Sequence, residues 1–275
     1  MGKVLAFSKQ HKQFTVFLIL SLLVIAVAVF APFIATHDPY ETVISNVEQP
    51  PDANHWFGTD KLGRDLFSRV IYGARTSLAS AMLLVFVTLT VGSSLGILAG
   101  YFGGLTDSVI MRISDMMISF PGLVLAIAIA GILGSSLMNA VIAIVAVSWT
   151  KYARLARSLV LGIKNKDYIS AAVLTGSRTG YILRKYILRM TMPILIVTAA
   201  TDIGTMMLEL AALSFLGFGA QPPTPEWGLM LNEGRTYLQN APWMMFFPGL
   251  AIFTVVVIFN LMGDSLRDIL DTGNH

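Results

Sequence analysis

Apolar residues occur in this chain in blocks of roughly 20, the length at which a helix crosses the ~30 Å hydrocarbon core of a bilayer. Six such blocks predict membrane spans at residues 14–35, 76–100, 109–133, 137–159, 192–213 and 245–262. Charged residues make up 13% of the 275, about half of the ~25% typical of a soluble domain. The chain is therefore predicted to be an all-α, polytopic membrane protein with six transmembrane helices, and a water-soluble fold is excluded.

The positions of Lys and Arg predict the orientation of these spans. The first block, residues 14–35, is longer than the 7–15 residues of a signal-peptide core, so we expect an uncleaved anchor. Most of the 19 Lys and Arg residues fall on the side of the N-terminus, including Lys3, Lys9, Lys12 and Lys151 near the end of the fourth block. Because cytoplasmic loops carry the excess of basic residues, both termini are predicted to be cytoplasmic. The net charge of only +3 gives no reason to expect a nucleic-acid partner.

Two parts are predicted along the chain. Residues 1–75 form an N-terminal transmembrane anchor with an external loop, and residues 76–275 form a five-helix core with a cytoplasmic loop at about 160–190. Three glycines, Gly92, Gly96 and Gly100, repeat every four residues in the second apolar block. This spacing predicts that two helices approach each other closely.

The cytoplasmic loop has the pattern of a helix, a tight turn and a second helix. Asn165 suits an N-cap, and Asp167 complements the positive end of the first helix. Gly176 permits the left-handed turn that ends it, and Thr179 suits the cap of a second helix over 181–188. One interpretation is a solvated basic loop that only determines topology. The other is a docking surface, because small side chains such as the adjacent alanines 171 and 172 let a partner approach the helix backbone.

This loop resembles the coupling loop of ABC importer permeases. The pattern of that loop is Glu-Ala-Ala, three residues of any type, Gly, nine residues of any type, and then x-Ile-Leu-Pro, where x is any residue. The residues that fit the pattern are Ala171, Ala172, Gly176, Ile187 and Leu188. Two positions depart from it, with Ser170 in place of the acidic residue and Arg189 in place of the proline. The resemblance implies docking to a separate ATPase subunit through Asp167, Tyr168, Ala171, Ala172, Gly176, Ser177 and Arg178.

Two external motifs resemble those of the second permease in dipeptide, oligopeptide and nickel importers. One runs from Phe57 to Leu78, and the other from Leu213 to Gly228. Within the second, Thr224 suits an N-cap and Pro225 the first position of a short helix.

The family resemblance implies a type I ABC importer permease fold in a bacterial inner or plasma membrane. It also implies a second homologous permease, two ATPase subunits that carry the ATP, and an external substrate-binding protein. The residues expected to contact that binding protein are Asp60, Arg64, Glu226 and Trp227. The implied cargo is a small peptide or a metal chelate of the nickel or metallophore type.

Two carboxylates, Asp202 and Glu209, lie seven residues apart in the fifth block and so share one helix face. Ionised groups in hydrocarbon are costly and often functional. One interpretation is that these residues, with Met206, line a translocation path. The other is that they are protonated or hydrogen-bonded to a neighbouring helix or subunit. A rival function is an ion- or proton-coupled secondary transporter that titrates Asp202 and Glu209.

No pattern in the chain predicts an enzyme. A phosphate loop of the Gly-x-x-x-x-Gly-Lys-Ser/Thr type is absent, so ATP hydrolysis is expected on a separate chain, with no catalytic residue and no cofactor in this one. The four histidines, His11, His37, His55 and His275, show no i, i+4 pairing or other metal-site spacing. They are therefore predicted to be surface residues, and no metal site is expected.

Overall fold

The computed structural model describes residues 11–272, so Lys3, Lys9 and His275 lie outside the described residues. The regular structure in that range is helical apart from one isolated bridge between Thr59 and Asp65. The all-α prediction is confirmed. The main helices are α1 Lys12–Val29, α2 Leu66–Phe102, α3 Gly104–Ile118, α4 Gly122–Leu133, α5 Leu137–Ile163, α6 Asp167–Leu174, α7 Leu188–Phe215, α8 Trp227–Gly234 and α9 Trp243–Thr272.

Within residues 11–272, four helical stretches are long and apolar enough to cross a membrane: Lys12–Val29, Leu66–Phe102, Thr179–Phe215 and Trp243–Ile269. The predicted third span, residues 109–133, is not one continuous helix. It falls across α3 and α4, which are bent by 93° at a short break, and counting this pair as one span gives up to five. The break follows from Pro121, which is the N-cap of α4 and disfavours helical geometry at the residue before it. The fourth predicted span, residues 137–159, corresponds to α5, whose second half carries Lys151 and two arginines.

Helices α2 and α5 pack closely along the glycine repeat, as predicted. A β-carbon on Gly92 would lie 2.4 Å from the carbonyl oxygen of Trp149, and one on Gly96 would lie 2.2 Å from that of Ala153. Real β-carbons are excluded from such distances, so only glycine lets the two backbones meet. This pair forms the centre of one core cluster, against which α4 and α7 also pack.

A second core cluster lies towards the predicted external side. It joins α1, the first turns of α2, α8 and α9, with Trp227 of α8 buried among them. Because α2 begins at Leu66, residue 75 lies inside this helix rather than at its start. The external segment between α1 and α2 is thereby attached directly to the bundle.

Candidate functional site

The loop predicted to be cytoplasmic has the expected glycine turn. Gly176 has a φ of +78°, which L-residues rarely adopt. The Ser177 N–H donates to the Ala172 carbonyl at 3.0 Å and the Gly176 N–H to that of Val173 at 3.0 Å. These two bonds are the Schellman pair that satisfies the last carbonyls of α6.

The start of the loop and the course of its second half differ from the prediction. Lys166, not Asn165, is the N-cap of α6, and Arg178, not Thr179, is the cap of the next turn. The second helix does not end at residue 188, because the chain stays helical from Thr179 through a π-helical stretch, Leu183–Ile187, to Phe215. With Arg189 where the family pattern has proline, the chain does not leave the helix there, and the loop continues into α7, which contains Pro193 in its second turn.

The side chains of α6 divide into two faces. Ile169 and Ala172 are buried against the core, with 3% and 7% of their surface exposed. The exposed face includes Val173 and Leu174, the latter 87% exposed, and Tyr168. Ala172 therefore cannot touch a partner directly, which corrects its inclusion in the predicted docking set.

The rest of that set is accessible. Asp167, Tyr168, Ala171, Gly176 and Arg178 are exposed, and Ser177 is half-buried. An exposed apolar side chain such as Leu174, on a short helix outside the spans, has no partner within the described part of the chain. The structure thus presents an apolar and polar surface of the kind that a second protein covers.

Inside the helical bundle, Asp202 of α7 is paired with two residues of α5. The Lys151 ammonium donates to its two carboxylate oxygens at 2.6 and 2.9 Å, and the Tyr152 hydroxyl donates at 2.9 Å. Asp202 is buried, while the Lys151 side chain is 57% exposed. The carboxylate is therefore held by a neighbouring helix of the same chain, one of the two interpretations that the sequence left open.

The other two residues of the predicted path have different environments. Met206 is 4% exposed and belongs to the core cluster around α2 and α5, so it does not line a path and that prediction is corrected. Glu209 is half-buried. Lys151 was not singled out by the apolar pattern, because it lies close enough to the end of its block to count as a loop cation. The signal that the sequence did offer was a basic residue in one apolar block and an acidic residue in another, because charges inside a membrane tend to pair with each other.

On the predicted external side, four charged side chains form a buried cluster. Arg64 donates to Asp60 at 2.6 Å and to both oxygens of Glu233 at 3.3 Å. Arg69 donates to Glu233 at 3.2 Å and lies 3.3 Å from Asp60. Each of the four has less than 10% of its surface exposed. Two cations and two anions thus neutralise each other and connect the segment before α2 to α8; we call them the external charge cluster.

Glu226 and Trp227 fasten α8 to α2. Glu226, not Thr224, is the N-cap of α8, and its carboxylate accepts from the Gly228 and Leu229 N–H groups at 3.0 and 2.8 Å. Burial raises the pKa of this carboxyl above its usual value. The indole N–H of Trp227 donates to the Val70 carbonyl at 2.8 Å.

The four residues predicted to contact a binding protein are therefore internal. Asp60, Arg64, Glu226 and Trp227 are at most 3% exposed, so they cannot touch an external protein, and the prediction of direct contact is corrected. Their burial follows from mutual ion pairing and helix capping, which a linear motif does not reveal. Nearby side chains that do reach the surface are Trp56, Leu62 and Leu238.

Comparisons with known proteins agree with this geometry. Residues 92–274 match the family described as binding-protein-dependent transport system inner membrane component. Residues 8–51 match the N-terminal transmembrane domain of oligopeptide transport permease C.

Two curated relatives extend over almost the whole chain. The dipeptide transport system permease protein DppC of Alkalihalophilus pseudofirmus is 47% identical, over 96% of this chain and 86% of the relative. The glutathione transport system permease protein GsiD of Escherichia coli is 46% identical, over 96% of this chain and 88% of the relative. Among solved structures, a chain of the MetNI methionine ABC transporter in an inward-facing conformation aligns with a TM-score of 0.57 and 19% identity. That alignment covers 74% of this chain and 97% of the other, and it supports the fold alone.

Proposed function

The chain belongs to the family of binding-protein-dependent transport system inner membrane components, and from that premise we propose that it imports small peptides. It is a multi-pass inner-membrane permease subunit of an ABC transporter, not an enzyme, and the ATPase is a separate subunit. The observation that carries the proposal is the near full-length similarity to permeases named for dipeptides and glutathione. Nickel and metallophore cargo, which the sequence motifs left open, has no support among these relatives and is withdrawn.

Coupling to the ATPase is assigned to the exposed face of α6. Leu174, Tyr168 and Ala171 present an uncovered surface to a partner, and the Gly176 turn orients it. The unbroken helix from Thr179 to Phe215 gives a movement of the loop a direct mechanical route to the bundle. In this proposal ATP acts on two partner ATPase subunits, and the resulting displacement of α6 and α7 switches the bundle between inward- and outward-open forms.

The remaining partners and the orientation follow the same scheme. A second, homologous permease completes the translocation path, and an external binding protein delivers the peptide. We place both termini in the cytoplasm, supported by the basic residues near α6 such as Arg178, Arg184 and Lys185. The exposed external side chains Trp56, Leu62 and Leu238 then replace the buried motif residues as contacts for the binding protein.

The rival function, a proton- or ion-coupled carrier that uses Asp202 and Glu209, is not favoured. Asp202 is engaged by Lys151 and Tyr152, which leaves no free pair of carboxylates to share a proton. The near full-length relatives are named as subunits of transport systems rather than single-chain carriers.

Reconstitution tests the proposal. The complete complex, with partner permease, ATPase subunits and binding protein, is placed in liposomes, and uptake of a labelled dipeptide is measured. We expect uptake that requires ATP and the binding protein and is unaffected by a protonophore. Uptake that continues without ATP and stops with the protonophore would establish the rival function instead.

A further inference from the structure

Three potential metal ligands from separate parts of the chain meet on the predicted external side. His37 follows α1, His55 lies in the middle of the external segment, and Asp65 is the N-cap of α2. One ligand atom from each lies within 4.8 Å of the other two. Because 18 and 10 residues separate them along the chain, no local spacing in the sequence reveals the group.

The distances within the group are close to those of a coordination site. The Nδ1 atom of His55 forms a hydrogen bond of 2.9 Å with Oδ1 of Asp65, and Nδ1 of His37 lies 3.8 Å from the same oxygen. The two imidazole rings are 4.9 Å apart between centroids and tilted by 35°. Ligand atoms around a tetrahedral zinc ion lie about 3.3 Å apart, given metal–ligand bonds of about 2.0–2.2 Å. An ion between these atoms therefore requires a movement of His37 of roughly 1 Å.

Burial divides the three ligands into a buried pair and a solvent-accessible one. The Asp65 and His55 side chains are only 1% and 11% exposed, whereas that of His37 is 39% exposed. His37 can therefore adjust its ring and admit an ion from water, and the open side leaves room for a water molecule as a fourth ligand. Three protein ligands and a water are an arrangement that zinc commonly takes.

Surrounding groups already orient the buried pair. The second carboxylate oxygen of Asp65 accepts from the Ser68 N–H at 2.8 Å, which leaves Oδ1 directed at the histidines. The other ring nitrogen of His55, Nε2, lies 3.4 Å from the Asn46 amide nitrogen, Nδ2. Such outer contacts hold ligating side chains in place and strengthen metal binding. Binding through Nδ1 requires that this atom carry no proton, so in the metal-bound form the imidazole proton would move to Nε2 and the Asn46 amide would turn to present its oxygen as the acceptor.

We propose that His37, His55 and Asp65 form an external binding site for a divalent transition-metal ion of the zinc class. Two imidazole nitrogens and one carboxylate oxygen suit Zn²⁺, Ni²⁺, Co²⁺ and Cu²⁺, and do not suit Mg²⁺ or Ca²⁺, which take oxygen ligands. The ion would be a resident of the fold rather than cargo. It would fasten the end of α1 to the start of α2, at the base of the external segment. This inference does not depend on the proposed peptide cargo.

Metal titration of the purified permease complex tests the site. The complex is prepared without a polyhistidine tag, treated with chelator, and titrated with Zn²⁺ by calorimetry and with Co²⁺ by its visible absorption. We expect binding that His37→Asn and His55→Asn each weaken by roughly tenfold or more. His11→Asn, on the opposite side of the membrane, is the matched control and should leave the affinity unchanged.

The two variants make the result decisive. His37 is exposed, so His37→Asn tests the ligand without disturbing the fold, and the spectrum of bound Co²⁺ should change because one of its two imidazole ligands is lost. Absence of Zn²⁺ binding to the unaltered complex would overturn the proposal. Binding that both variants leave unchanged, or that only one of them weakens, would also overturn it, since the ion would then lie elsewhere or use other ligands.

Discussion

The charged residues at one end of this molecule are buried and paired, whereas those at the other end are exposed. On the predicted external side, Asp60, Arg64, Arg69 and Glu233 are buried and satisfy one another. On the predicted cytoplasmic side, charged and apolar residues of the loop are exposed around Leu174. The buried charges of the predicted external end thus satisfy one another within the chain, whereas the loop at the predicted cytoplasmic end is an open surface that, in our proposal, a partner covers. The stability of the folded chain should therefore depend on the external charge cluster, and coupling to the ATPase on the loop around Leu174.

The largest expected effect is on stability, from Glu233→Gln. Loss of this anion leaves two buried guanidinium groups with one carboxylate, and breaking a buried charge network costs about 3–5 kcal/mol. The thermal unfolding midpoint of the purified permease should fall sharply. Lys61→Gln is the matched control, because Lys61 contacts the same carboxylate at 3.4 Å from a partly exposed position and should cost at most about 1 kcal/mol. Equal destabilisation by the two variants would contradict the difference between buried and exposed charge.

A smaller loss is expected from Lys151→Met, which leaves the buried Asp202 carboxylate with Tyr152 as its remaining partner. An unsatisfied buried group of this kind costs about 1–3 kcal/mol. The double variant Lys151→Met/Asp202→Asn removes the uncompensated charge and should recover most of that loss in the same unfolding measurement. A double variant no more stable than Lys151→Met alone would show that the ion pair does not hold α5 to α7.

Gly176→Val should affect coupling more than stability. A β-branched residue at a φ of +78° costs about 1–2 kcal/mol locally, so the turn after α6 should change its conformation. We expect ATP-driven uptake to fall while the amount of folded permease stays near normal. Gly162→Val is the control, because Gly162 is equally uncrowded but lies inside α5 with ordinary helical geometry. Unchanged uptake in Gly176→Val would remove the turn from the coupling mechanism.

The smallest effect is expected from Lys185→Ala on the cytoplasmic face. Lys185 is exposed and contacts the Tyr181 hydroxyl and ring, and surface substitutions of this kind change stability by about 0.5 kcal/mol or less. The unfolding midpoint should therefore stay within error of the unaltered protein. A drop comparable to that of Glu233→Gln would contradict the description of the loop as an open surface.

The features that could be predicted from sequence are those set by local chemistry. Apolar blocks predicted the helices, the Gly92–Gly96–Gly100 repeat predicted close packing of α2 against another helix without identifying it as α5, and Gly176 predicted its left-handed turn. Each depends on a few neighbouring residues and on rules of backbone geometry. For the same reason, the break before α4 was recognisable in principle from Pro121, but the long apolar stretch around it concealed it.

The features that could not be predicted depend on residues far apart in the chain. Arg64 and Glu233 are separated by 169 residues, and Lys151 and Asp202 by 51. Because of such long-range pairing, Asp60 and Arg64, which were predicted to contact a binding protein, are buried inside the protein. A motif specifies residue types but not which side of a helix faces the protein, which is also why Ala172 proved to be inside and Ala171 outside.

Photo-crosslinking from single cysteines tests most directly the claim that the exposed face of α6 receives the ATPase. The chain contains no cysteine, so Leu174→Cys introduces a unique attachment point for a thiol-linked benzophenone. Leu105→Cys, 80% exposed at the same end of the bundle but outside the loop, is the control. In the assembled complex, Leu174→Cys should crosslink to the ATPase subunit and Leu105→Cys should do so far less. Equal crosslinking from both positions, or none from Leu174→Cys, would contradict the account.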